Sequence, residues 1–286
     1  MEYVGRLIDI ATEEDIDRIS RDQLQILLRY GSSIGGARPK TTVAFEDKVF
    51  IAKPHKADDQ YPLVRSEHAA LTLAGHLGLR APRTEIRVIE GRDVILIERF
   101  DREIKGVRLE RHGFLSAHAA LGLPKRIMKP QTDASYQKIA EAIRKISAKP
   151  DEDCGELWKR ILFNMIVSNG DDHTRNHAFV EKGGTWRLSS VYDAVPVPRR
   201  SDFKDRRLGL SFGKMGSKAT MENLFSEASA YGLPRNQAEN IAAAFLIDFQ
   251  RFWRDPFHEA GINPEGLDGF PKSFAITEFL LAEFAA

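Results

Sequence analysis

Apolar positions recur at helical spacing over residues 13–30, where Ile16, Ile19, Leu24, Leu27 and Leu28 share one side, and again over 64–77. Between and after these stretches the pattern shortens. Residues 41–45 and 48–52 read as strands, and 84–89 and 94–98 as two more, entered after breaks at Gly78 and Pro82. Helical periodicity is expected at 112–121, 134–147 and 156–168. The last of these has a wide apolar face of Leu157, Trp158, Ile161, Leu162, Met165 and Ile166. HAFVE (177–181) and TWRLSSV (185–191) read as a hairpin. Three further helices are expected at about 217–231, 235–253 and 273–285, with Phe245, Phe252, Trp253 and Phe279 as core candidates. Short strands followed by helices predict an α+β chain with a small β-rich part, 1–100, and a mainly helical part, 101–286.

Composition narrows the class without fixing it. The 286 residues are 42% apolar and 29% charged, enough to bury a substantial core. A net charge of +1 gives no overall pull toward nucleic acid or membrane, so any anion site must be local. The single Cys154 excludes an intramolecular disulfide and fits a reducing compartment. No run approaches the roughly 20 apolar residues of a membrane span, and the first residues lack a basic start followed by an apolar core. The expectation is a cytoplasmic protein.

Candidate chemistry concentrates in VSNGDDHTRNHAF (167–179), between an apolar helix and a strand. Asn169, Asp171, Asp172, His173 and Asn176 lie within eight residues, and Asp193 follows Asp171 by 22 positions, across the hairpin. Two acids and an amide around a short hairpin match the protein-kinase arrangement, in which one acid orients the attacking hydroxyl and the amide and second acid hold Mg2+. A turn whose Asp and Asn side chains cap the backbone is the alternative reading of the same loop.

Upstream features favour the first reading. GSSIGGARPK (31–40) can bring Gly35 and Gly36 backbone N–H groups to a phosphate, with Arg38 or Lys40 adding charge; it is not a Walker A loop, which needs a Gly-Lys-Ser/Thr ending leading into a helix. Lys53 ends the second strand, where a kinase lysine grips the α- and β-phosphates, and Glu67, in the first turn of the 64–77 helix, is its candidate partner. Residues 98–102, ERFDR, suit a connection at which a nucleotide base pairs with backbone groups. The basic stretch 198–207 reads as an exposed loop with solvated charges, or as a dock for an acidic or RNA-bearing target.

Taken in order, GSSIGGARPK, FIAK, ERFDR, NGDDHTRN, VYDAVP and LGLSFGK resemble the motifs of the HipA-type toxin serine/threonine kinases, from about residue 31 to the C-terminus. The resemblance implies a two-lobed, protein-kinase-like fold with ATP and Mg2+ as cofactors. It makes Asp171 the catalytic acid, Asn176 and Asp193 the metal ligands, Lys53 the phosphate contact, and Glu98 and Phe100 the hinge around adenine. It makes Ser33, with Ser32 beside it, the inhibitory autophosphorylation site, and LGLSFGK a strand. It implies a protein substrate, an aminoacyl-tRNA synthetase with or without tRNA, whose phosphorylation arrests translation, and no direct contact with DNA or membrane.

The family's longer members carry a further subdomain before the Gly-rich loop, whereas here that loop begins at residue 31. The chain therefore looks like the short form, similar to HipT, in which that subdomain is a separate small antitoxin; a DNA-binding antitoxin is a second implied partner. Two other functions share these residues. A small-molecule phosphotransferase would use the same acids without phosphorylating Ser32 or Ser33, and a pseudokinase would bind nucleotide without turnover.

Overall fold

A computed structural model of the chain describes residues 40–45, 47–89, 91–106, 108–124, 134–197 and 206–263, together with 274, 277, 281 and 282. The expected 13–30 helix, the loop holding Ser32, Ser33, Gly35, Gly36 and Arg38, most of the basic stretch 198–207, and Phe279 lie outside the described residues.

The first sheet has the order β1-β2-β4-β3, all neighbours antiparallel. Its strands are β1 (Thr41–Phe45), β2 (Lys48–Pro54), β3 (Thr84–Ile89) and β4 (Arg92–Glu98). Helix α1 (Leu63–His76) connects β2 to β3 and packs against β3 and β4. Its inner face is Val64, Ala69, Ala70, Leu71, Leu73 and Ala74, all fully buried; four of these are Ala or Val, which allow close approach to the sheet. Glu67 falls in the second turn of this helix, not the first, because the helix starts at Leu63.

The region after β4 is less helical than the sequence pattern suggested. Strands β5 (Arg102–Lys105) and β6 (Arg108–Arg111) form a charged hairpin, and β7 (Gly113–Ser116) joins β8 (Ala178–Lys182) and β9 (Thr185–Leu188) in a three-stranded sheet. Only α2 (Ala117–Ala120) of the expected 112–121 helix is helical. The cross-chain partner decided it: Phe114 and Leu115 pair with Val180 and Phe179, and Gly113 packs so closely on Trp186 and Glu181 that a Cβ there would lie 3.0 Å from both.

Helices α3 (Tyr136–Ile146) and α4 (Pro150–Val167) form the centre of the larger core. Ser135 caps α3 by accepting the Lys138 N–H at 3.2 Å. Pro150 opens α4, three acids follow in its first turn where the helix dipole favours them, and Ser168 ends it in the left-handed conformation at φ 59°. The six apolar residues expected on its inner face are 0–1% exposed.

The expected 217–231 helix is reduced to α5 (Met221–Ser226) and a 3-10 turn at Ala228–Tyr231. Within α5, Asn223 spends its side chain on the preceding loop, accepting from Met215 N–H and donating to the Gly216 and Lys218 carbonyls. LGLSFGK is not a strand; residues 207–218 carry only isolated bridges. Arg206, read from sequence as a solvated charge, is buried. α6 (Arg235–Phe252) and α7 (Arg254–Glu259) complete the described helices, and Trp253, Phe257 and Phe274 pack edge to face beneath them.

Arg80, just after α1, fastens the two parts together. Its carbonyl accepts the Val191 N–H at 2.7 Å, its own N–H donates to Glu156 at 3.0 Å, and its guanidinium reaches Asp153 at 2.6 Å. Asp153 is fully buried and also accepts from Arg187, Ser147 and the Leu188 N–H. Burial alone would raise its pKa; these hydrogen bonds and the Arg80 charge outweigh that and hold it at about 2.

Candidate active site

β2 and α1 place one cation between two acids. Lys53 Nζ lies 2.7 Å from Glu67 Oε1 and 2.6 Å from Asp193 Oδ1. Lys53 and Glu67 are 6% and 1% exposed, whereas the Asp193 side chain is 40% exposed and so reaches the open side of the pair. Burial opposes the lysine charge, but the two carboxylates overcome it and raise the pKa well above its ordinary value. Burial likewise opposes ionisation of Asp193, yet Lys53, Lys40 and His173 hold its pKa below the usual carboxylate range. Lys53 is therefore a cation and Asp193 an anion near neutrality.

Asp193 stands at φ 56°, a left-handed conformation that Asp tolerates better than bulkier residues. Tyr192 beside it donates its hydroxyl to the Arg175 carbonyl at 2.7 Å, which ties this segment to the 168–177 loop. A strained acid so braced is a common feature of functional sites.

Within that loop the adjacent acids have opposite environments. Asp171 is exposed, whereas Asp172 is 3% exposed. The Asp172 Oδ2 accepts the Tyr136 hydroxyl and lies 2.8 Å from His177 Nε2. Tyr136 Oη accepts from Asn164 Nδ2 at 3.1 Å, and Asn164 Oδ1 accepts from Asn169 Nδ2 at 3.2 Å. The chain thus runs from α3 through the end of α4 into the loop. Burial and the Asp172 charge push the Tyr136 phenol far up, so it remains a donor. Asp172 is consumed by this network, and Asp171 is the acid left facing out. His118 steadies the far end through Thr174 Oγ1 and Arg175 Nη2, each at 3.0 Å from its ring nitrogens. Asn176, 6% exposed, closes the turn with its N–H on the His173 carbonyl at 2.8 Å.

Gly209 packs beneath the loop: a Cβ there would stand 2.3 Å from the Asp172 carbonyl oxygen and 3.1 Å from that of Gly170. LGLSFGK thus acts as a floor for the loop, which requires glycine at that point.

The Glu98 carboxylate pairs with Lys48 at 2.6 Å. In register, Phe50 faces Glu98 and Lys53 faces Ile95, so Glu98 and Lys53 project from opposite sides of the sheet. Phe100 lies next to Phe114 and Tyr192, ring centroids 6.3 and 5.8 Å away. Lys40 enters β1 near enough to Asp193 for its charge to act there.

The structure therefore brings Lys40, Lys53, Glu67 and Asp193 together and sets the Glu98 side chain apart. Tyr136, Asp172 and His177 were not assigned from sequence. The adjacency of two acids was the only local sign, since Tyr136 comes from a helix 36 residues earlier. Among the described residues no group of three or more His, Cys, Asp or Glu gathers as a metal site, and no helix is long and apolar enough to cross a membrane.

Comparison with known proteins agrees with this geometry. A family model described as HipA-like C-terminal domain matches residues 32–253. The chain is 24% identical over 200 residues to the serine/threonine-protein kinase toxin HipA of Shewanella oneidensis, covering 61% of this chain and 45% of that protein. It spans about half the length of the curated relatives it matches. Among solved structures, HipA in the Shewanella oneidensis toxin–antitoxin complex with HipB and operator DNA superposes with a TM-score of 0.66 at 20% identity, over 88% of this chain and 63% of that one. The Helicobacter pylori proinflammatory kinase CtkA superposes with a TM-score of 0.51 at 12% identity, over 85% and 95%. The fold is α+β and protein-kinase-like.

Proposed function

We propose that this chain, which belongs to the HipA-like C-terminal domain family, is an ATP-dependent serine/threonine-protein kinase and the toxin of a toxin–antitoxin system. The observation that carries this reading is Lys53, held at 2.7 Å from Glu67 and 2.6 Å from Asp193. A strand lysine joined to a helix glutamate and to an acid beyond the catalytic-type hairpin is how kinases fix the charge that meets the α- and β-phosphates.

Each remaining residue then has a role. Asp171 orients the substrate serine and receives its hydroxyl proton as the oxygen attacks the γ-phosphorus, the bond to the β-phosphate oxygen breaks, and ADP leaves. Asn176 and Asp193 would hold magnesium, since their side chains offer the oxygen donors that it prefers. Magnesium, when bound, neutralises charge on the phosphates. Gly35, Gly36 and Lys40 cover the phosphates. Because the Glu98 side chain is engaged by Lys48, the backbone groups of Glu98 and Phe100 are what meet the adenine. Residues 1–100 and 101–286 form the two lobes of this reading.

The same reading takes an aminoacyl-tRNA synthetase, with or without tRNA, as the protein substrate in the cytoplasm, so that translation and growth stop. It takes Ser33, or Ser32, as the site of inhibitory autophosphorylation. The presence of HipB and operator DNA with the Shewanella protein supports a DNA-binding antitoxin partner here; a second antitoxin, resembling the subdomain that longer members carry, rests on the sequence resemblance alone.

The test is transfer from radiolabelled Mg-ATP into a cell lysate and into the chain itself. Wild type should label one protein band and its own residues 32–33, and Asp171→Ala and Asp193→Ala should label neither. Labelling that survives Asp171→Ala would sink the assignment.

A further inference from the structure

At the β4–β5 connection lies a cavity of about 450 Å3, lined there by Glu98, Arg99, Phe100, Arg102 and Glu103 and closed by Ala81, Pro82, Arg83, Lys182 and Ser190. None of Lys53, Glu67, Asp171, Asn176 or Asp193 lines it; it shares Glu98 and Phe100 with the proposed adenine contacts, whose backbone groups rather than side chains that reading assigns to the nucleotide. Its size falls within the roughly 300–1,000 Å3 of small-molecule sites.

The cavity has more positive charge than its own acids use. Arg83 has Glu85 as its carboxylate neighbour, at a loose 3.7 Å, and Lys182 has no carboxylate within 4.0 Å among the described residues. Arg99 and Arg102 share one acid, Asp101, at 2.8 and 2.6 Å. Burial depresses the Arg102 pKa, and the Arg99 and Arg111 charges add to that, outweighing Asp101. Of the two lining carboxylates, Glu98 is already engaged by Lys48.

We propose that this cavity binds a small phosphate monoester. A monocarboxylate could be satisfied by a single arginine fork, whereas cations arriving from three separate segments suit a dianion. Arg83 comes from the entry to β3, Arg102 from the start of β5 and Lys182 from the end of β8. Ala81 and Pro82 supply an apolar wall for the carbon skeleton. A ligand here would bridge the β4–β5 connection to Ser190, three residues before Asp193.

The experiment is calorimetric titration of the full chain with glycerol phosphate, with and without saturating Mg-ADP. Arg83 and Lys182 are exposed, so Arg83→Ala combined with Lys182→Ala should fold normally, as its unliganded melting temperature would verify. Saturable binding to wild type, unaffected by Mg-ADP and weakened at least about tenfold in the double variant, is expected. No saturable binding, equal binding to the variant, or displacement by Mg-ADP would each overturn the proposal. The titration needs no phosphoryl transfer. If the kinase reading fails, label transfer is absent while this binding persists.

Discussion

Asp172 is closed off from solvent by Tyr136, whose hydroxyl donates to its Oδ2 from a helix that begins 36 residues earlier in the chain. The neighbouring Asp171 has no such cover. Two identical side chains in sequence are thereby given different work: one anchors the loop and the other is presented by it.

Stability measurements should separate the two acids. Asp172→Ala leaves the Tyr136 hydroxyl and His177 Nε2 without their acceptor inside the core, a loss of about 2–4 kcal/mol. Asp171→Ala removes an exposed side chain and should cost less than about 0.5 kcal/mol while abolishing transfer. Urea unfolding of both variants checks this. Equal losses would show that the loop is not anchored through Asp172.

Lys53→Met should remove ATP use and also destabilise the chain by about 1–3 kcal/mol, because the buried Glu67, 1% exposed, loses the hydrogen bond and opposite charge of the lysine. Adding Glu67→Gln removes the glutamate charge. The double variant should therefore recover much of the stability and none of the activity. Recovery of both would mean that Lys53 acts only as a counter-ion.

How legible this was from sequence depends on whether the cause is local. The α4 helix and its apolar face follow from periodicity, and the turn at Gly78 and the strands around Lys53 follow from short apolar runs between breakers. The strand at Gly113–Ser116 was misread because Phe114 and Leu115 suit a helix equally well until Val180 and Phe179 are brought alongside. The candidate site shows the same division. Lys53, Asp171, Asn176 and Asp193 announce themselves by type and order. The burial of Asp172 depends on Tyr136 and on Gly209, whose contacts with the loop span 36 and 37 residues.

Acid should loosen the junction at Arg80 and Asp153. The Asp153 pKa is held at about 2, below the 3.8 of an unperturbed carboxyl, so the unfolded chain binds this proton first. The linked stability is fully present above pH 4 or so and is lost as pH falls toward 2, amounting to about 2 kcal/mol. Asp153→Asn should flatten that part of the stability-versus-pH curve. A variant that keeps the wild-type slope would place the acid sensitivity elsewhere.

The last prediction sets two glycines against each other. At Gly209 an added Cβ would lie 2.3 Å from the Asp172 carbonyl oxygen, a backbone atom of the loop that presents Asp171, so it cannot be relieved by a side-chain rotation. Gly209→Ala should cost about 1–3 kcal/mol and, by displacing the loop, reduce transfer more than it reduces nucleotide affinity. At Gly155, inside α4, nothing lies within 4 Å of the added carbon, and alanine has the higher helix propensity. Gly155→Ala should therefore stabilise the chain by about 0.5–1 kcal/mol with activity unchanged. Thermal melts and steady-state rates on the two variants give both numbers. If Gly209→Ala is as active as wild type, LGLSFGK does not support the catalytic loop.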